Sequence, residues 1–157
     1  MTDNTPSNAY IFISYAHEDE GLKKELDKYL KVLKRSSKIQ SWNDNELIAG
    51  QEWDQEIMSA LNKANIILLL ISIDFNSSDF IWDKELASAM KRHEEGTARV
   101  VPIILRKCDW SKMPYAKLQA LPRNATPVTG YADRDEAFTE IAEGIESLVD
   151  YINKQAS

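Results

Sequence analysis

One carboxylate in this sequence, that of Glu85, is placed where it could take part in catalysis. Glu85 lies near the start of a predicted helix, where the helix dipole favours the ionised form of a carboxylate. An ionised carboxylate in a crevice can stabilise the oxocarbenium-like transition state of glycosidic-bond cleavage. Glu85 is therefore the candidate catalytic residue, and the alternative from sequence alone is a solvated residue on an exposed helix face.

Polar and aromatic residues near predicted strand ends could hold a nucleotide-like ligand beside this carboxylate. Hydroxyl groups could donate hydrogen bonds, an aspartate could accept them from ribose, and a tryptophan ring could stack on a base. The candidate substrate-binding residues are Ser14, Tyr15, Asp44, Ser72, Ser78 and Trp82. Each also has a structural interpretation, because serine and aspartate cap strands, turns and helices. Trp82 shares helical spacing with Leu86 and Met90, which is equally typical of core packing.

The elements that must position these residues alternate along the chain. Runs of apolar residues predict strands, and apolar residues spaced by three and four predict helices. The run 66–71 is unbroken, as in strands that helices cover on both faces, whereas Pro102 is disfavoured in a central strand. The predicted strands are 9–14, 39–42, 66–71, 99–105 and 126–129, and the predicted helices are 22–33, 53–64, about 78–95 and 138–152.

This alternation predicts a mostly parallel sheet with helices on both faces. We therefore expect an α/β fold with a flavodoxin-like five-stranded parallel sheet. Ligands of such sheets bind outside the carboxyl ends of the strands. The sequence contains neither the G-x-G-x-x-G nor the G-x-x-x-x-G-K-[ST] phosphate-binding pattern.

Composition excludes several function classes. The chain has 157 residues and a formal net charge of −6, which argues against binding nucleic acid or an anionic membrane through bulk charge. One cysteine and two distant histidines argue against a disulfide or a zinc site. No apolar run is long enough to span a membrane. We expect a flexible polar leader over 1–8, a single domain over 9–155 and a cytoplasmic location.

Four segments in order resemble the motifs of Toll/interleukin-1 receptor (TIR) domains. The run 10–16, Tyr-Ile-Phe-Ile-Ser-Tyr-Ala, resembles their first-strand motif. Residues 42–44, Trp-Asn-Asp, followed by 50–53, Gly-Gln-Glu-Trp, resemble their second strand and BB loop. The segments 66–72 and 78–86 resemble their third strand and the helix that carries a glutamate. The resemblance extends over about residues 9–152, nearly the whole chain.

The resemblance implies both a fold and an activity. TIR domains have a five-stranded parallel sheet, and many bacterial and plant members hydrolyse NAD+ at the bond between nicotinamide and ribose. The catalytic glutamate of the family matches Glu85. The implied products are nicotinamide and ADP-ribose, or a cyclic ADP-ribose, and NAD+ is a substrate rather than a cofactor.

The resemblance also implies how activity is controlled. Such enzymes are usually inactive as monomers and are switched on when a fused or separate sensor gathers them into homo-oligomers. The BB loop of one subunit then completes the site of the next. In bacteria the usual setting is defence against phage by depletion of NAD+.

One departure from the family pattern keeps alternatives open. Many NAD+-cleaving members carry an aromatic residue four positions before the glutamate, where this sequence has Ile81 between Phe80 and Trp82. Either neighbour could supply the aromatic contact. A non-catalytic scaffold that acts through TIR–TIR contacts is the second hypothesis. An enzyme similar to nucleoside deoxyribosyltransferases, which use a glutamate in a related fold, is the third.

Overall fold

The computed structural model describes residues 9–42 and 53–156, so the predicted leader 1–8 and residues 43–52 lie outside it. Within this range the strands are β1 (Tyr10–Ser14), β2 (Ser41–Trp42), β3 (Ile66–Ile71) and β4 (Arg99–Ile104). All three strand pairings are parallel, in the order β2-β1-β3-β4. The parallel α/β architecture predicted from the sequence is therefore confirmed.

The helices follow the strands in the alternation that the sequence predicts. They are α1 (Glu20–Arg35), α2 (Trp53–Lys63), α3 (Ile73–Ser77), α4 (Ala87–Glu94) and α5 (Arg134–Ala156). The short helix α3 was not predicted. A π-helical segment, Ile81–Leu86, leads directly into α4, so the predicted helix over about 78–95 exists but begins with a wider turn.

Two apolar clusters form on opposite faces of the sheet. Every residue of β3 is buried, and its side chains alternate between the two faces, as the pleat of a strand requires. Leu68 packs in the cluster that includes Leu30 of α1 and Phe138 of α5, whereas Leu69 packs in the one that includes Phe75 and Leu86. The unbroken apolar run of β3 therefore reflects helices on both sides of the sheet.

The predicted fifth strand over 126–129 is absent from the described part of the chain. Val128–Gly130 forms a 3₁₀ turn instead, and Pro127 before it has no N–H to donate to a strand ladder. Leu121 pairs with the outer edge of β4 as an isolated β-bridge. Leu121 donates its N–H to the Pro102 carbonyl at 2.9 Å and accepts the Ile104 N–H at 2.8 Å. Four strands are thus described where five were expected.

The edge position of β4 also explains Pro102. The N–H of Val100 points away from β3 and is accepted by Nδ1 of His93 at 3.1 Å, and the N–H of Ile104 points the same way. The nitrogen of Pro102 therefore lies on the outer edge, where no ladder partner is needed. A proline is tolerated in an edge strand for this reason.

Candidate functional site

A cleft of about 550 Å³ opens at the carboxyl ends of β1 and β3. This is the end of a parallel α/β sheet at which ligands are expected. Its described lining comes from β1 and the segment that follows it as far as the start of α1, from α2 and from the segment after β3. These residues are Phe12, Ile13, Tyr15, Ala16, His17, Glu18, Glu20, Ile57, Asp74, Ser77, Ser78, Phe80, Ile81 and Glu85.

Glu85 reaches the cleft from the π-helical segment, and only 5% of its surface is exposed. Burial raises the pKa of its carboxyl group from 4.5 to about 7, and the nearby Ser14 hydroxyl opposes part of this rise. A carboxyl group with this pKa can give up or accept a proton near neutral pH, and its ionised form can stabilise a developing positive charge. The group thus has the properties of a catalytic carboxylate.

Ser14 ends β1 and is completely buried. Its hydroxyl influences the pKa of Glu85, yet its Oγ makes no hydrogen bond of good distance and angle within the described residues. A buried hydroxyl in this state retains its capacity to donate. Ser14 therefore lies beside the carboxylate, although it does not itself line the cleft.

Tyr15 and Ser78 both line the cleft, and Ser78 also has the structural role considered from the sequence. The Ser78 hydroxyl oxygen accepts the backbone N–H of Ile81 at 3.3 Å. This hydrogen bond satisfies one of the free donors at a helix start. Ser78 thus fixes the beginning of the helix that carries Glu85 while facing the same cleft.

Ser72 belongs to a different polar cluster at the same end of the sheet. It is completely buried, accepts the Phe75 N–H at 3.1 Å as the N-cap of α3, and donates its hydroxyl to Asp19. Asp19 also accepts a hydrogen bond from Nε of Arg106 at 2.8 Å, and Arg106 extends this network to Asp74. Ser72 does not line the cleft; its contacts tie together the segments after β1, β3 and β4.

The structure separates the two aromatic residues that flank Ile81. Trp82 is 48% exposed and is not part of the described cleft lining, whereas Phe80 is. In a π-helical turn, residues bond to partners five positions apart rather than four, so the residue five positions before Glu85 is brought toward its side of the helix. That residue is Phe80. Asp44, the remaining predicted site residue, lies outside the described residues.

Several lining residues were not among the sequence candidates. Asp74 lies in the first turn of α3, three residues after the end of β3, and His17 lies three residues after the end of β1, so their positions in the chain could have indicated them. The described lining contains four acidic side chains, from Glu18, Glu20, Asp74 and Glu85, and neither lysine nor arginine. Arg106, outside the lining, pairs with Asp74, and Nζ of Lys24 lies 3.8 Å from Glu20. Glu18 and the ionised form of Glu85 add negative charge that favours the positively charged part of a ligand.

Two further observations concern metals and membranes. Among residues 9–42 and 53–156, no group of three or more His, Cys, Asp or Glu side chains is arranged to hold a metal ion. No helix in the same ranges is long and apolar enough to cross a lipid bilayer.

Comparison of the chain with known proteins identifies its family. The family model for the TIR domain matches residues 11–142. The chain is 44% identical over 147 residues to "Uncharacterized protein y4lF" of Sinorhizobium fredii (strain NBRC 101917 / NGR234). That alignment covers 94% of this chain but 46% of the relative, so the chain spans about half the length of the curated relative that it matches.

Proposed function

The chain belongs to the TIR domain family, and from this premise we propose that it is an NAD+ glycohydrolase that cleaves the bond between nicotinamide and ribose. The observation that carries the proposal is Glu85, which is buried at the wall of a cleft beside the carboxyl ends of β1 and β3. NAD+ is the substrate, and the proposed reaction uses no cofactor.

The reaction needs one well-placed carboxylate. The bond between ribose C1′ and the nicotinamide nitrogen breaks, and its electron pair leaves with nicotinamide, whose ring becomes neutral. The ionised Glu85 carboxylate stabilises the positive charge that develops on the ribose. The oxygen of water then bonds to C1′ and releases a proton, which the carboxylate can accept because its pKa is about 7.

The charge of the cleft supports this orientation of the substrate. The nicotinamide ring of NAD+ carries a positive charge before cleavage, and the described cleft lining carries four acidic side chains. Phe80 lines the same cleft and offers a ring for the planar nicotinamide. Attack by a hydroxyl of the same molecule in place of water would give a cyclic ADP-ribose.

We further propose that activity depends on self-association. TIR domains commonly associate with one another, and the BB loop, which includes residues 43–52, is the contact that the family resemblance implies. The sensor is fused or separate, and the curated relative, which is about twice as long as this chain, has room for a fused one. The proposed setting is cytoplasmic defence of a bacterium against phage.

The test is NAD+ consumption with chromatography of the products, at protein concentrations where light scattering shows assembly. We expect nicotinamide release by the parent and a loss of about a hundredfold or more in Glu85→Gln, because one transition-state contact of this kind is removed. Asp83→Asn, an exposed change on the same π-helical segment, is the matched control and should retain parental turnover. Glu85→Gln activity within about threefold of the parent would contradict the catalytic role.

The second candidate function is a TIR scaffold without catalysis. The observation that favours it is Ile81, which is 3% exposed and occupies the position where many NAD+-cleaving members have an aromatic residue. Assembly without nicotinamide release in the same experiment would support the scaffold. Turnover of deoxynucleosides but not of NAD+ would instead favour the deoxyribosyltransferase-like reaction.

A further inference from the structure

A buried lysine lies behind the wall of the cleft. Lys23 is on α1, and only 2% of its surface is exposed. Burying an ammonium group is costly unless it is paired and hydrogen-bonded. An apolar side chain of similar length could fill the same space without that cost. The charge of Lys23 therefore needs an explanation beyond packing.

The contacts of Lys23 connect the cleft to β2. Its Nζ lies 3.0 Å from Oδ2 of Asp27, one helical turn further along α1. The other oxygen of that carboxylate, Oδ1, accepts the indole N–H of Trp42 at 2.9 Å. The same Nζ lies 5.7 Å from the centre of the Tyr15 ring, which is within the range of a cation–π contact.

Of the residues joined by these contacts, Tyr15 lines the cleft. Its ring has the ammonium group of Lys23 near one side and contributes to the cleft wall, whereas Lys23 itself is not part of the described lining. The ion pair with Asp27 limits where the ammonium can lie, and the hydrogen bond from Trp42 limits where the carboxylate can lie. These contacts together restrict the position of the Tyr15 ring.

The charge of Lys23 is balanced within this cluster. Its ammonium group is paired with the Asp27 carboxylate at 3.0 Å, so the pair as a whole adds no net charge behind the wall of the cleft. Lys23 therefore influences the cleft through the Tyr15 ring that its ammonium group approaches.

We propose that Lys23, held by Asp27 and Trp42, is a positioning residue that fixes the Tyr15 wall of the cleft and sets the affinity for NAD+ rather than the rate of bond cleavage. This inference rests on the proposed function, since it names a determinant of substrate binding at the same site. Lys23 acts through the position of Tyr15, and Glu85 remains the group proposed to meet the reacting bond.

The test compares Lys23→Met with the parent. Methionine keeps an unbranched chain of similar length without the charge, and thermal melting checks that the variant folds. We expect KM for NAD+ to rise about tenfold, because the Tyr15 wall of the cleft is no longer held in the geometry that binds substrate, while kcat changes by less than about threefold. Asp27→Asn, which keeps an acceptor for Trp42 but loses the ion pair, should raise KM in the same direction. Lys31→Met, which changes an exposed lysine on the same helix, is the control and should leave both constants unchanged.

A second measurement, the NMR resonance of the Tyr15 ring, does not depend on enzymatic activity. In protein labelled with ring-¹³C tyrosine, the Tyr15 resonance is assigned by its loss in Tyr15→Phe. We expect it to shift in Lys23→Met and in Asp27→Asn but not in Lys31→Met. An unchanged Tyr15 resonance, or an unchanged KM in a folded and active Lys23→Met protein, would overturn the inference.

If the parent does not consume NAD+, the proposed function fails, and the Tyr15 resonance still decides whether Lys23 positions the ring. If Lys23→Met does not fold, Asp27→Asn decides both readouts.

Discussion

At the scale of single residues, Glu85 connects function to stability. Burial raises the pKa of its carboxyl group from 4.5 to about 7, so the folded protein holds a proton in a pH range where the unfolded chain has lost it. Between these two values stability falls as the pH rises, because only the unfolded chain ionises freely. Above about pH 7 both states are ionised, and the folded protein bears the full cost of the buried charge.

We therefore predict that Glu85→Gln stabilises the folded protein more at pH 8 than at pH 5. The neutral amide has no charge to bury, so the free energy of unfolding of the variant relative to the parent should increase by about 2 kcal/mol between these pH values. Urea unfolding at both pH values measures this difference. Asp83→Asn, on the same segment but exposed, should show no such change. An equal effect of Glu85→Gln at both pH values would contradict the raised pKa.

At the scale of secondary structure, the π-helical segment determines which aromatic side chain reaches the cleft. A regular α-helix would place the residue four positions before Glu85, Ile81, on the same face of the helix. The wider turn brings Phe80 into the cleft lining beside Ile81, while Trp82 remains 48% exposed. π-helical turns of this kind often occur at functional sites.

We predict that Phe80→Ala reduces kcat/KM for NAD+ about tenfold or more, because a ring that packs against the nicotinamide is lost. Trp82→Ala should change kcat/KM by less than about threefold, since an exposed ring outside the cleft contributes little. Steady-state kinetics on both variants, with melting temperatures as a check on folding, measures the contrast. The reverse order of effects would assign the aromatic contact to Trp82.

Sequence patterns predicted the elements that depend on local periodicity and burial. β3 is apolar throughout because both of its faces are covered, and α1 and α5 show apolar stripes that pack on the sheet. Glu85, Tyr15 and Ser78 could be placed near one cleft because residues that follow parallel strands meet at one end of the sheet. These predictions required only the period of the pattern and the order of the elements.

Other features depend on contacts that no local pattern records. A single bridge at Leu121 takes the place of the predicted fifth strand, and its hydrogen bonds join residues distant in the sequence. The extra residue in the π turn cannot be read from helical spacing, which assumes one period throughout. Ser72 binds Asp19 rather than lining the cleft, because a buried carboxylate requires hydrogen-bond donors.

At the scale of the whole molecule, the distribution of charge indicates that a single copy does not hold a complete substrate site. The protein has a net charge of −6, and the described cleft lining contains neither lysine nor arginine. Residues 43–52 also contain neither of these residues in the sequence. Arg106 and Lys24 pair with the lining carboxylates of Asp74 and Glu20, so the described lining itself offers no lysine or arginine to the pyrophosphate of the proposed substrate. A neighbouring copy could supply exposed cations.

We accordingly predict that NAD+ turnover per molecule rises with protein concentration rather than remaining constant. Association adds contacts that a dilute copy lacks, so the active fraction follows the assembled fraction by mass action. Measuring nicotinamide release over about a hundredfold range of concentration, with light scattering on the same samples, relates the two quantities. Glu85→Gln should assemble over the same range without releasing nicotinamide, which separates assembly from chemistry. Constant turnover per molecule across a range in which scattering reports the change from monomer to oligomer would show that one copy holds a complete site.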